Sequence, residues 1–339
     1  MSRTAPLAID LANLSDHPAA RAWNHLGGGV PARVELWRRP NRTKPSVYRL
    51  IFASSRQPAV FAKRSLATDL AVERRVYQEI LPRLPLTAPR YHGSCRDHEG
   101  ATWLFIEDVG DQAPSESDLE QRVLAARWLG VLHGSGAAEL AAAGLPDAGA
   151  GRYLAHLCAG RETLRRNLVN PWLTADDRPL LTGLVDQLDA LESRWPELER
   201  ACEGLPNTIV HGDFRPKNVR VRVAGAAPAL YAIDWEMAGW GIPAADLACA
   251  FGPGPIVQVD ARTYQETVRN LWKDLDTAAL RGASILGRTF QALASTEWAG
   301  ASLVSVSERH LIRPLASLRV YRRQLSEAIE AGAEWLGWS

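Results

Sequence analysis

Within TIVHGDFRPKNVRVRV, residues 208–223, eight consecutive positions hold His211, Asp213, Arg215, Lys217 and Asn218. A second run, ALYAIDWEMAGWG at 229–241, brings another carboxylate, Asp234, to the end of a β-like segment. An imidazole, two carboxylates and an amide oxygen at this density suit proton transfer and the binding of a hard cation. Val219, Val221 and Val223 alternate with Arg220 and Arg222, the period-2 signature of a half-buried strand. AGAAP supplies turn residues, and ALYAI is a second strand of matching length. An antiparallel hairpin with equal arms brings its open ends together, so Asn218 and Asp234 are expected side by side. One amide oxygen and one carboxylate there suit a divalent ion that keeps several waters and takes its other ligands from phosphates. Asp213, five residues before Asn218, then projects beside the metal without ligating it, where a base for an incoming hydroxyl belongs.

Those residues need elements to hold them. From about residue 30 to 110 the chain carries short β-like runs, ARVELWRR, SVYRLIFA, AVFAK and WLFIEDV, interrupted by one helical stretch, TDLAVERRVYQEILPRL. After residue 115 the pattern is mainly helical: Ser117 and Glu120 frame a capping box before LEQRVLAARWLGVLHG, and further helices are expected near 152–168, 175–203 and 261–298. The hairpin region at 208–234 is the main β island of that second half, and the boundary between the halves falls in GDQAPSESD, about 110–118.

Composition narrows the setting. A chain of 339 residues suits two lobes with sizeable cores. Hydrophobic residues at 46%, charged residues at 23% and a net charge of +1 describe an ordinary soluble protein and give no basic stripe for nucleic acid. Cys95, Cys158, Cys202 and Cys249 form no CxxC pair, which points to a reduced cytoplasm and no zinc site. The opening MSRTAPLAIDLANLS has no signal-like apolar run, and no segment approaches the roughly 20 apolar residues of a membrane span. The protein is read as cytoplasmic, free of membrane and nucleic-acid partners, and a monomer or homodimer.

HGDFRPKN and AIDWEMAGWGIPAADLA resemble the catalytic core of the aminoglycoside phosphotransferase and choline kinase superfamily, with looser similarity over about residues 30–250. The resemblance implies an α+β, two-lobed, protein-kinase-like fold. A small β-rich nucleotide-binding lobe would take residues 1–112, and a larger, mainly helical lobe with the catalytic loop and acceptor site would take 113–339. It also implies ATP or GTP with Mg2+ as cofactors. Asp213 becomes the catalytic aspartate and Asn218 and Asp234 the magnesium ligands, while His211 braces the loop and Asp246 holds it from the next helix.

A kinase-type lobe needs a strand lysine for the nucleotide phosphates and a helical glutamate to hold it. AVFAK ends in Lys63, and on the following helix Leu70, Glu73, Tyr77 and Ile80 fall on one face, so Glu73 interrupts an apolar stripe. An unpaired charge there is costly, which makes Lys63 its natural partner; the alternative is two surface charges on unrelated elements. WLFIEDVG reads as the hinge strand, where Glu107, Asp108 and Val109 offer backbone groups to adenine; read alone it is a buried strand and its end turn. RPNRTKPS, between the first two strands, occupies the phosphate-loop position with Thr43, Lys44 and Ser46, yet lacks the glycines that bring backbone close to phosphate. HLGGGVPA has Gly27 to Gly29 but precedes the first long strand. Arg215 and Lys217 stand close enough to Asp213 to contact a transferred phosphate, or are solvated loop charges. Trp235, Glu236 and Trp240 are candidates for the acceptor pocket, with core packing the alternative for the tryptophans.

The reading is an O-phosphotransferase acting on a hydroxyl of a small molecule, an antibiotic in the first instance, with a sugar, choline or amino-alcohol kinase or a nucleotide-binding pseudokinase scaffold as alternatives. Gly212 stands where a protein kinase has the arginine that reads a phosphorylated activation loop, and 11 residues between Asp234 and Asp246 leave little room for such a loop. A metal-dependent hydrolase would need an HExxH or a histidine cluster, which the sequence lacks. From His211 onward there are 13 Asp and Glu against 14 Lys and Arg, so the acceptor is expected to be neutral or weakly charged rather than a polycation.

Overall fold

Val60 and Ala62 alternate with Phe61 and Lys63 along one strand, and this alternation builds the two faces of the first unit's sheet. The computed structural model describes residues 7–9, 14–38, 45–54, 57–66, 70–135, 144–223, 227–270, 272–304 and 307–337. The strands are β1 (Leu7–Ala8), β2 (Arg33–Arg38), β3 (Ser46–Ile51), β4 (Val60–Leu66), β5 (Tyr91–Arg96) and β6 (Ala101–Glu107). They form an antiparallel sheet in the order β1-β2-β3-β4-β6-β5. Val34, Leu50, Val60, Ala62, Trp103 and Phe105 bury one face beneath Trp23 of helix α1 (Pro18–His25). The other face carries Phe61, Lys63, Leu104 and Ile106 and lines a cavity of about 310 Å³. The short helix α2 (Ala71–Arg75) loosens into a π turn at Val76–Ile80, so the expected long helix over 68–84 is broken.

Contacts divide the chain into Met1–Pro114 with Lys217–Met237, and Ser115–Pro216 with Ala238–Ser339. The hairpin of β8 (Val219–Val223) and β9 (Pro228–Ala232) therefore groups with the first unit, not with the helical half to which its place in the sequence assigned it. Val221 N–H donates to Gln112 O at 2.9 Å, and Thr87 Oγ1 donates to Leu230 O at 2.5 Å, tying the hairpin to that unit.

The second unit is built on α3 (Leu119–His133), α4 (Ala150–Asn167), α5 (Asp177–Ser193), α6 (Trp195–Glu203), α7 (Ala261–Val268), α8 (Thr277–Ala301) and α9 (Glu308–Leu336). Strand β7 (Thr208–Val210) pairs antiparallel with β10 (Gly239–Gly241). Leu157, Leu184, Leu188, Phe290, Leu293 and Leu318 anchor its core. Two expected helices are divided: 175–203 breaks at Arg194, before Pro196, and 261–298 becomes α7 and α8. Helix α3 begins differently from expectation. Asp118, not Ser117, is the N-cap, its side chain accepting the Gln121 N–H at 3.2 Å, while Gln121 Oε1 reaches back to Ser115 N at 2.8 Å. Among the described residues no helix is long and apolar enough to cross a membrane.

Candidate active site

Lys63 Nζ donates to Glu73 Oε2 at 2.5 Å and to Asp234 Oδ1 at 2.5 Å, with Glu236 at 3.8 Å. Leu70, Glu73, Tyr77 and Ile80 are all buried, so the stripe expected from their spacing forms even though the helix turns π halfway along it. Burial alone would lower the Lys63 pKa, but the charges of Glu73 and Asp234 outweigh it and raise the value above that of an ordinary lysine. Burial likewise works to raise the Asp234 carboxyl, yet Lys63 and then Arg38 hold it well below the usual carboxylate range. For Glu73 burial prevails over Lys63 and lifts its carboxyl. Asp234 also has φ +67°, a left-handed backbone that costs a non-glycine residue about 1 kcal/mol or more and turns its carboxylate at the strand end.

Asn218 is buried at the entry to β8, and its carbonyl accepts the Ile233 N–H at 2.8 Å, so the hairpin's open ends meet as its equal arms require. Asn218 and Asp234 therefore share one end of the cavity. Their donors are hard oxygens, one of them held anionic, and two protein ligands leave coordination positions for water and phosphate. That donor set fits a magnesium-type ion. Among the described residues no group of three or more His, Cys, Asp and Glu could hold a metal by itself.

The hinge presents less backbone than expected. Glu107 N–H donates to Arg90 O at 2.8 Å and Asp108 N–H to Ala59 O at 2.9 Å, leaving Val109 as the hinge amide with no partner among the described residues. The Glu107 and Asp108 carboxylates pair with Arg222 at 2.7 Å and Arg49 at 2.5 Å. Glu107 and Val109 line the cavity. Ser46 is buried as the first residue of β3, opposite Arg64, and does not line that cavity; Thr43 and Lys44 lie outside the described residues. In β8 Val219 and Val221 are buried as expected, but Arg220 is buried as well, only 4% exposed, and Val223 at the strand end is 68% exposed. Asn218, Arg220 and Arg222 occupy one face of that strand, and the first two line the cavity.

In the second unit, Asp246 accepts the amides of His211 at 2.6 Å and Gly212 at 2.8 Å, all buried. Gly212 has φ +77°, which favours glycine at this turn and accounts for its place in the motif. His211 Nδ1 accepts Asp213 N–H at 3.3 Å. Behind Asp246, His133 Nε2 lies 3.4 Å from Oδ2, and His133 Nδ1 shares a 2.8 Å hydrogen bond with Tyr264 OH. Arg215 Nε sits 2.6 Å from Asp213 Oδ1, and its Nη2 donates to Gln291 Oε1 at 3.2 Å and Ser295 Oγ at 2.8 Å. Gln291 Nε2 returns a bond to Gly212 O at 3.0 Å, so α8 grips the loop at two points. Arg215 is thus paired with the carboxylate beside it. His133, Tyr264, Gln291, Ser295 and Arg220 carry no local signature that marks them as site residues.

The remaining candidates separate. Trp235 is fully buried, with Nε1 donating to Ala232 O at 3.3 Å, which corrects its expected place in the acceptor pocket: it is a core residue. Glu236 faces Lys63 in the first unit. Trp240 is half-buried in β10, with its N–H on Pro146 O at 2.9 Å. Lys217 is exposed beside the hairpin entry.

Comparison with known proteins places this geometry. The chain matches the phosphotransferase enzyme family (APH) over residues 40–282. Among solved structures, a spectinomycin phosphotransferase in complex with ADP and spectinomycin is similar at TM-score 0.58 and 13% identity, over 89% of this chain and 94% of that one. The choline kinase of Cryptosporidium parvum is similar at TM-score 0.57 and 13% identity, over 89% and 93%. The GDP and kanamycin complex of APH(2")-IIIa is similar at TM-score 0.58 and 14% identity, over 89% and 96%. These identities speak to the fold alone. No curated protein matches the sequence. The chain belongs to the phosphotransferase enzyme family and is a small-molecule kinase with a protein-kinase-like fold.

Proposed function

We propose that the protein transfers the γ-phosphoryl group of ATP or GTP to a hydroxyl of a neutral or weakly charged small molecule, such as a nucleoside-type or glycosylated antibiotic or a sugar metabolite. The observation that carries this reading is the position of Lys63, bonded to both Glu73 and Asp234 at the cavity end where Asn218 lies. Lys63 offers its ammonium to the nucleotide phosphates, and Glu73 fixes its direction. A magnesium ion held by Asn218 and Asp234 would, when bound, neutralise charge on the β- and γ-phosphates. Asp213 takes the proton of the acceptor hydroxyl as its oxygen forms the new bond to phosphorus and the bridging oxygen leaves with the nucleoside diphosphate. Asp246 and Gln291 fix the loop that carries Asp213, so most of the rate enhancement comes from positioning and electrostatics.

The acceptor class follows from charge. The segment from His211 onward, of which Lys217–Met237 groups with the first unit, has 13 acidic against 14 basic residues, and one of those bases, Arg215, adjoins the Asp213 carboxylate. Polyamines would meet that cation instead of an acidic surface. Names of similar proteins span spectinomycin, kanamycin and choline, and so span acceptor chemistries. The test is an acceptor screen with γ-labelled ATP and GTP across aminoglycosides, nucleoside antibiotics, macrolides, peptide antibiotics, choline and simple sugars. Label on a neutral hydroxylated acceptor is expected. Label on kanamycin-type polyamines alone overturns the acceptor class, and nucleotide binding without transfer to any acceptor favours a scaffold.

A further inference from the structure

We propose that Arg38 grips the β- and γ-phosphates of the nucleotide, in the part that backbone amides of a glycine-bearing loop would otherwise play. This rests on the cavity of the first unit being the nucleotide site and goes on to name a further residue of it. Strands β2 and β3 pair Glu35 with Arg49 and Leu36 with Tyr48, and regular alternation would next set Trp37 against Val47 and Arg38 against Ser46. Arg38 instead stands opposite Val47, so Trp37 is an extra residue in β2. This one-residue slip turns Arg38 away from the face that packs beneath α1 and onto the other. There its partner Val47 pairs in turn with Lys63 of β4. Arg38, Val47 and Lys63 thus form one row across three strands, and all three line the cavity.

Two contacts fix where the guanidinium points. Arg38 Nε donates to Pro45 O at 3.2 Å, and Nη1 lies 3.8 Å from Asp234 Oδ2, the carboxylate oxygen that Lys63 does not take. At 3.8 Å the charges attract but no hydrogen bond forms, so the N–H groups of Nη1 stay unused. Among the described residues the Nη2 donors have no acceptor either. The Arg38 side chain is 32% exposed against 9% for Lys63, which is already committed to Glu73 and Asp234. Arg38 therefore brings open donors to the end of the cavity where Lys63 lies. A guanidinium carries its N–H groups in a planar fork that fits phosphate oxygens in pairs. Asp234 is the proposed magnesium ligand beside the β- and γ-phosphates, so a guanidinium next to it reaches those phosphates and not the base. RPNRTKPS, which directly follows Arg38, has no glycine to bring its amides close to phosphate, and a long cationic side chain needs no such approach.

The test needs no acceptor. Non-hydrolysable triphosphate analogues of adenosine and guanosine, and the monophosphates AMP and GMP, are titrated with Mg2+ into the full chain as wild type, Arg38→Gln and Arg38→Lys. Calorimetry follows the tight binders, ligand-detected NMR the weak ones, and circular dichroism confirms folding. Arg38→Gln is expected to weaken the triphosphate about tenfold or more, as loss of a charged hydrogen-bonded contact requires, and to leave the monophosphate within about twofold. Arg38→Lys, which keeps the charge and loses the fork, should fall between wild type and Arg38→Gln. An unchanged triphosphate affinity in Arg38→Gln overturns the proposal. So does an equal loss for triphosphate and monophosphate, because a merely structural role at the bulge would disturb the whole cavity alike. If Arg38→Gln does not fold, Arg38→Lys decides by the same comparison. Failure of the wild type to bind any of these nucleotides overturns the nucleotide-site reading itself, and this proposal with it.

Discussion

Lys63 Nζ and Asp234 Oδ1, 171 residues apart in the chain, lie 2.5 Å apart. The contact joins the sheet of the first unit to the end of the hairpin at 217–237, so the lysine proposed to meet the nucleotide phosphates and a candidate metal ligand are set by one ion pair.

The pair has a pH signature. The folded Asp234 carboxyl titrates well below its ordinary value near 3.8, whereas in the unfolded chain it takes up a proton around that value. Over that window the unfolded state binds more protons, so the stability this group contributes is present above about pH 4 and is lost as the pH falls towards the folded pKa. Asp234→Asn should flatten the dependence of the urea midpoint on pH between about pH 5 and about pH 2. An acid slope equal to that of the wild type would remove Asp234 from the account of acid stability.

Magnesium dependence should separate the two hairpin-end residues. Asn218→Ala and Asp234→Ala should both need more magnesium for half-maximal turnover, with Asp234→Ala the more severe because a full negative charge is lost. A magnesium titration of activity checks this; a variant with the wild-type requirement would not be a ligand.

Asp246 anchors the loop that carries Asp213. Asp246→Ala leaves the buried amides of His211 and Gly212 without acceptors and exposes His133 to the same loss, at about 1–3 kcal/mol per unsatisfied group. Chemical denaturation should show a stability loss of at least about 1–3 kcal/mol, and hydrogen exchange at 211–215 should rise. Unchanged exchange there would mean that Gln291 and Ser295 alone hold the loop.

Much of the fold and part of the site can be read from local pattern. Equal arms around AGAAP suffice to join Asn218 to the residues before Asp234, and an acid in an apolar stripe suffices to pair Glu73 with Lys63. Arg220 defeats the same logic: the period-2 reading puts Val219 and Val221 inward, and both are buried, but it leaves the arginines to solvent, whereas the opposite face here is a cavity wall that buries Arg220 too. Trp235 is equally opaque: its neighbours in sequence are site residues, and only packing against α2 and the turn makes it core. Asp246, His133 and Tyr264 meet across gaps of 113 and 131 residues, which no spacing rule reaches. Helix α9 escapes because Pro314 breaks the pattern near its start.

Single-turnover phosphoryl transfer by Asp213→Asn, measured together with its nucleotide affinity, tests the central claim most directly. Asn keeps the shape of the side chain and removes its capacity to accept a proton. The account predicts nucleotide affinity close to that of the wild type and turnover lower by about 10² to 10⁴. Turnover near the wild-type level would contradict it, because the hydroxyl would then be deprotonated without Asp213.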